Sequence, residues 1–139
     1  EGVPTTGEAR AAAGRRLLDL LSERGIAVED VFVDLVITPL SVDPEGARAA
    51  CAAMQMIATT CPQCHLVCGL SNVSFGLPQR ALLHRAFAAQ AIAAGLDSAI
   101  LDPTDAQLRA TMYAAEALAG RDPWCARYLR AYREGLLQE

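Results

Sequence analysis

What this chain lacks narrows its function before any motif is read. No apolar run reaches the roughly 18 residues that a membrane-crossing helix requires. Charge interrupts each run well short of that, so 53% hydrophobic content and a mean hydropathy of +0.22, much of it alanine, do not point to a membrane. A basic surplus is also absent. The formal net charge is −4 and the pI ≈ 5.1, which argues against a nucleic-acid backbone as partner. Residues 1–14 are polar and alanine-rich and carry no basic-then-apolar export signal. The five cysteines, an odd number, therefore suit a reducing cytoplasm better than a disulfide framework. Glycine-rich phosphate loops, a Ser-His-Asp set and a metalloprotease helix are missing. So are repeats, low-complexity tracts and long linkers, and 139 residues suffice for one domain with a core of its own.

What is present is clear helix punctuation. Thr5-x-x-Glu8 reads as a capping box opening a helix that carries Leu17, Leu18, Leu20 and Leu21 and stops at Gly25. Asp43-Pro44-Glu45 predicts an N-cap with proline at the first helical position, and a helix to about Thr59. Pro78 opens a third helix ending at Gly95, and Thr104-x-x-Gln107 caps a fourth that stops at Gly120. Asp122-Pro123 starts a fifth with Trp124, Tyr128 and Tyr132 on one face. Between the helices lie apolar runs at 31–37, 65–70 and 99–101, the last extended by Ser98. Their continuous apolarity suits strands covered on both faces, as in parallel sheets. The order α-β-α-β-α-β-α-α predicts an α/β fold with right-handed crossovers. Three strands alone leave two open edges. The pattern therefore calls for completion by a second copy of the chain, or for membership of something larger.

Polar groups gather at the predicted strand ends, where α/β proteins build sites. Asp34 lies inside an apolar strand, where a carboxylate is costly unless it is paired or hydrogen-bonded. It meets a ligand, caps a neighbouring turn, or pairs with Arg80 or Arg85. Asn72 follows Gly69-Leu70-Ser71 directly; its amide suits a heterocycle edge or closes an Asx-turn. Gly69 and Gly76 allow a ligand to approach the backbone closely. Arg80, in the first turn of the third helix, opposes the helix dipole, so it has an anionic partner or is simply exposed. Asp102-Pro103 ends the third strand, with helix capping as its default role. Cys61-Pro62-Gln63-Cys64-His65 has the form of a c-type haem attachment site, which requires export. Zinc on Cys61, Cys64 and Cys68 lacks a comfortable fourth ligand. Incidental thiols are the better reading, and no metal is expected.

The stretches Gly69-Leu70-Ser71-Asn72-Val73-Ser74-Phe75-Gly76, Arg80 with Arg85 and Phe87, and Ala94-Gly95-Leu96-Asp97-Ser98-Ala99-Ile100-Leu101-Asp102-Pro103 resemble the pterin-binding methyltransferase family. This family includes the methyltetrahydrofolate:corrinoid protein methyltransferases and the folate module of cobalamin-dependent methionine synthase. Upstream, Glu29-Asp30-Val31-Phe32-Val33-Asp34 followed by Pro39 is similar to its strand with the pterin-binding aspartate, and Gly2-Val3-Pro4 also fits. Dihydropteroate synthases share the family's fold, but their terminal Ser-Arg-Lys and Arg-x-His motifs are absent here.

The resemblance implies that residues 1–139 form the C-terminal half of a TIM-type (β/α)8 barrel, about three βα units plus flanking helices. It implies that Asp34 hydrogen-bonds the pterin ring, that Asn72 hydrogen-bonds near N5 of methyltetrahydrofolate, and that Gly69 and Ser71 line the pocket. Arg80 then lies near the p-aminobenzoate or glutamate portion, and Ile100 packs on the ligand. The implied reaction moves the N5 methyl group to a Co(I) corrinoid, a cobalamin-type cofactor carried by a partner protein. Asn72 is then a stabiliser of charge at N5, because an amide does not titrate. The alternative is a non-catalytic folate- or pterin-binding half-barrel that self-associates. Leu35 and His84 depart from the pattern, standing where proline and asparagine are usual. The family's remaining pterin-binding aspartate and asparagine belong to an N-terminal half-barrel. The 139-residue chain alone is therefore expected to transfer little or no methyl group; an assay with methyltetrahydrofolate and cob(I)alamin checks this, and measurable turnover contradicts it.

Overall fold

A computed structural model describes residues 2–137. Helix α1 (Gly7–Glu23) is capped by Thr6, whose hydroxyl accepts from the Ala9 N–H at 3.2 Å. The cap thus falls one residue after the expected Thr5. A 3-10 turn at Val28–Asp30 leads into strand β1 (Phe32–Asp34). Helix α2 (Gly46–Thr60) follows a turn in which Asp43 Oδ1 accepts from the Glu45 N–H at 3.0 Å. Strand β2 (His65–Gly69) runs into a 3-10 turn at Leu70–Ser74 and then helix α3 (Arg80–Ala94). Gly95 ends α3 at φ +118, where a side chain is disfavoured. Strand β3 (Ser98–Ile100), helix α4 (Ala106–Leu118) and helix α5 (Ala126–Arg133) complete the order. No described helix is long and apolar enough to cross a membrane.

Four further starts differ from the sequence pattern. Glu45, not Asp43, stands at the N-cap of α2, which begins at Gly46 and leaves Pro44 outside the helix. Pro78 does not open α3, because Gln79 takes a left-handed conformation at φ 52 and the helix begins at Arg80. Asp105, not Thr104, caps α4, accepting from the Leu108 N–H at 2.9 Å; Thr104 is already held by Asp102. Asp122-Pro123 opens only a 3-10 turn, with Trp124 at φ 59 and Cys125 at φ 53. Trp124 is therefore off the α5 face that carries Tyr128 and Tyr132, and it is 95% exposed.

The three strands are parallel and lie in sequence order, β1-β2-β3. Phe32 pairs with His65 and Asp34 with Val67; Val67 then pairs with Ser98 and Gly69 with Ile100. The helices pack neighbour on neighbour, α1 on α2, α2 on α3 and α3 on α4. Val33, Leu35, Leu66 and Cys68 form one core with Met54, Ile57, Phe87 and Ala91. The expected second cover is missing among the described residues: Phe32, Val36 and Ile100 are exposed. Alternate residues of each strand point to opposite faces, so apolarity that reads as continuous is buried on one face only. Strand β1 is also shorter than the 31–37 run, since Val36 leaves extended backbone at φ 50.

Small residues permit the close helix layer. A Cβ added at Gly14 on α1 would stand 2.7 Å from Ile57 Cδ1 and 3.5 Å from Val33 Cγ1. One polar side chain crosses this layer. Arg10, 3% exposed, donates from Nε to Pro4 O, from Nη1 to Val36 O and from Nη2 to Thr38 Oγ1, each at 2.8 Å. It ties the segment before α1 to the exit of β1, and burial lowers its pKa. Arg10→Ala removes all three charge-assisted bonds and is expected to cost about 3 kcal/mol, read as a lower urea midpoint; an unchanged midpoint contradicts this role.

A candidate functional site at the strand ends

The parallel register arranges the open face of the sheet in rows. Phe32 and His65 form the first, Asp34, Val67 and Ser98 the second, and Gly69 and Ile100 the third. Same-face residues along a strand are about 6.6 Å apart, so Asp34, Gly69 and Ile100 lie within one small patch at the C-terminal ends. Asp34 is exposed there, and the desolvation expected from its apolar neighbours does not arise. Its Oδ1 accepts from the Val36 N–H at 2.8 Å, closing the turn that ends β1. The other oxygen has no hydrogen bond among the described residues. Neither arginine pairs with it; Arg85 lies 3.7 Å from Asp105 instead.

The Leu70–Ser74 turn carries Ser71 and Asn72 out of β2. Asn72 folds its carboxamide back over Gly69, where an added Cβ would lie 3.1 Å from Asn72 Nδ2. No Asx-turn forms, and the carboxamide has no hydrogen bond among the described residues. Gly69 thus makes room first for Asn72. Gly76 lies off the patch, against Ser41, whose hydroxyl donates to Phe75 O at 2.7 Å.

A polar network fixes this turn. Arg80 donates from Nε to Ser74 Oγ at 3.0 Å and from Nη2 to Ser71 O at 3.1 Å, and lies over the Phe75 ring, 5.8 Å from its centroid. Its partners are therefore neutral loop groups. Ser74 Oγ, fully buried, also lies 3.2 Å from Ser71 O and 2.7 Å from His84 Nε2. Burial lowers the His84 pKa, and the nearby Arg80 lowers it further. His84, Ser71, Ile100, Asp102 and Asp105 border a cavity of ≈ 390 Å³ between the β2 and β3 exits. Asp102 caps no helix: the Thr104 hydroxyl and N–H bond it and hold its carboxyl below the usual range. Ser74 and its link to His84 escaped the sequence reading. The signal available was the i, i+4 spacing of Arg80 and His84 on one helix face.

The model for pterin-binding enzymes matches residues 5–102. This chain is a member of the pterin-binding enzyme family. The match runs from α1 through β3 and includes Asp34, Gly69, Ser71, Asn72, Arg80 and Ile100. The chain is also 30% identical over 134 residues to the methylcorrinoid:tetrahydrofolate methyltransferase of Eubacterium limosum. That alignment takes in 96% of this chain and 49% of the relative, so the chain spans about half the length of the curated relative it matches.

Two expectations follow for this pterin-binding family member. Gly69→Ala directs its Cβ at a flexible, exposed side chain from a backbone at φ −77 that any residue adopts. It should leave the unfolding midpoint nearly unchanged while weakening pterin binding by calorimetry in a polypeptide that also carries the complementary half; equal binding there contradicts the expected place of Gly69 in the pocket. His84 has a depressed pKa in the folded state. The unfolded chain then binds more protons, so this stabilisation is present above the unfolded histidine pKa of about 6.5 and is lost as pH falls through the lower folded value. Thermal unfolding of the wild type should show that loss, and His84→Gln should flatten it.

Proposed function

We propose that this chain forms one wall of the pterin pocket in a methyltransferase that moves the N5 methyl group between methyltetrahydrofolate and a protein-bound Co(I) corrinoid. The observation that carries this reading is the patch on the open face. A carboxylate oxygen on Asp34 and the whole carboxamide of Asn72 lack protein partners there, beside a glycine. A pterin is flat, with a hydrogen-bonding edge, and these groups fit it: Asp34 accepts from ring N–H groups, while Asn72 both donates and accepts. The names of the family and the relative supply the substrate class.

Parallel strands in sequence order, with helices on one side, are how a (β/α)8 barrel is wound. In this reading the exposed face of β1–β3 is the barrel interior, and a complementary half-barrel covers it and supplies the opposite wall. Arg80, steadied by Ser74, Ser71 and the Phe75 ring, keeps N–H donors free for the p-aminobenzoate or glutamate portion. Ile100, 71% exposed beside Gly69, packs on the ligand, and Ser71 lines the rim.

The corrinoid, presented by a partner protein, supplies a nucleophilic Co(I). This chain's part is to make N5 a better leaving group. As the C–N bond breaks, its electron pair stays on N5. The Asn72 carboxamide donates to that pair, or accepts from a proton arriving there, and its bond strengthens as the charge develops.

The test is Asn72→Ala in a polypeptide that also carries the complementary half. Methyl transfer should fall about a hundredfold while methyltetrahydrofolate affinity falls much less. Equal losses would reassign Asn72 to plain binding.

A further inference from the structure

The Cys61-Pro62-Gln63-Cys64 turn is a motif that the pterin site leaves unused. It joins the end of α2 to the start of β2, at the opposite end of the strands from Asn72. The Cys61 N–H bonds Ile57 O at 2.7 Å, and the Cys64 N–H returns to Cys61 O at 3.2 Å. The Cys61 thiol is near enough to Cys64 to influence its ionisation. A turn closed this way holds its first and fourth Cα atoms within about 7 Å, matching the roughly 4.4–6.8 Å span of a disulfide. Access is graded, since Cys61 is half-buried and Cys64 is 7% exposed.

We propose that Cys61 and Cys64 form a redox-active dithiol that closes reversibly to a disulfide on reaction with a low-molecular-weight disulfide such as oxidised glutathione. Cys61, as thiolate, attacks one sulfur of the reagent, whose S–S bond breaks to release one thiolate. A mixed disulfide remains on Cys61. Cys64, as thiolate, then attacks the Cys61 sulfur and expels the second reagent thiolate. The reagent gains two electrons and ends as two thiols; the cysteine pair loses two electrons and two protons. Burial, then the adjacent Cys61, push the Cys64 thiol up to about 11. Ring closure therefore depends on deprotonating Cys64 and accelerates as pH rises and the thiolate fraction grows. The remaining thiols are less suited. Cys68 is fully buried and pushed up to about 12, burial raises Cys51, and Cys125 stands exposed beyond α4.

The test is the intact mass of the chain during incubation with oxidised glutathione, quenched by acid. A glutathione adduct should form and give way to a species lighter than the reduced chain by two hydrogens, faster as pH rises, with dithiothreitol restoring the start. Cys125 adds a separate, stable adduct. Cys64→Ser should trap the adduct on Cys61, and Cys61→Ser should form neither adduct nor bridge in this turn. A bridge that persists in either variant overturns the proposal, as does an adduct on wild-type Cys61 that never resolves. Should Cys64→Ser fail to fold, the wild-type time course decides alone. Closure that does not depend on pH, or no reaction at Cys61, then refutes the dithiol.

Discussion

The constraint on which the rest of this structure depends is the close approach of a small-residue helix layer to one face of a three-stranded sheet. Gly14 lets α1 settle against Ile57 and Val33, and the fully buried Ala50, Ala53 and Ala91 serve the same layer. Close packing there gives the dispersion and burial that hold the strands in parallel register. Every helix that packs on the sheet is committed to that side. The other face is left to side chains that do not serve the core, and Asp34, Asn72 and Ile100 stand there.

The sequence disclosed the strands and helices well because their punctuation is local. Proline, glycine and capping residues act within a few positions, and the errors stay within three residues: Thr6 for Thr5, Gly46 for Pro44, Arg80 for Pro78, Asp105 for Thr104, Ala126 for Pro123. At α4 two candidate caps stand side by side, and Asp105 serves because Thr104 is already held by Asp102. At α3 the left-handed backbone of Gln79 delays the helix to Arg80. Sidedness was not legible. A run such as Val31-Phe32-Val33 reads as buried throughout, and only packing reveals that Phe32 is bare.

The site divides in the same way. Asp34 and Asn72 were legible as polar residues at strand ends, and the family resemblance drew them together. The environment of Asp34 was not, because its apolar sequence neighbours Val33 and Leu35 point to the other face. Nor was the containment of Arg80. A cation in the first turn of a helix suggests an anionic partner, yet two oxygens and an aromatic face satisfy it within the loop. The Ser74–His84 contact spans ten residues and carries no local signature.

That contact has a consequence in proton bookkeeping. Ser74 Oγ owns one hydrogen and two lone pairs, and Arg80 Nε occupies one of the pairs. If His84 is the tautomer with hydrogen on Nε2, it fills the other pair, and the serine hydrogen goes to Ser71 O. In the opposite tautomer the serine hydrogen turns to the imidazole, leaving Ser71 O to Arg80 alone. Ser71 O belongs to the amide that joins Ser71 to Asn72. Which ring nitrogen of a helix residue is protonated therefore sets the pull on the peptide plane from which Asn72 hangs.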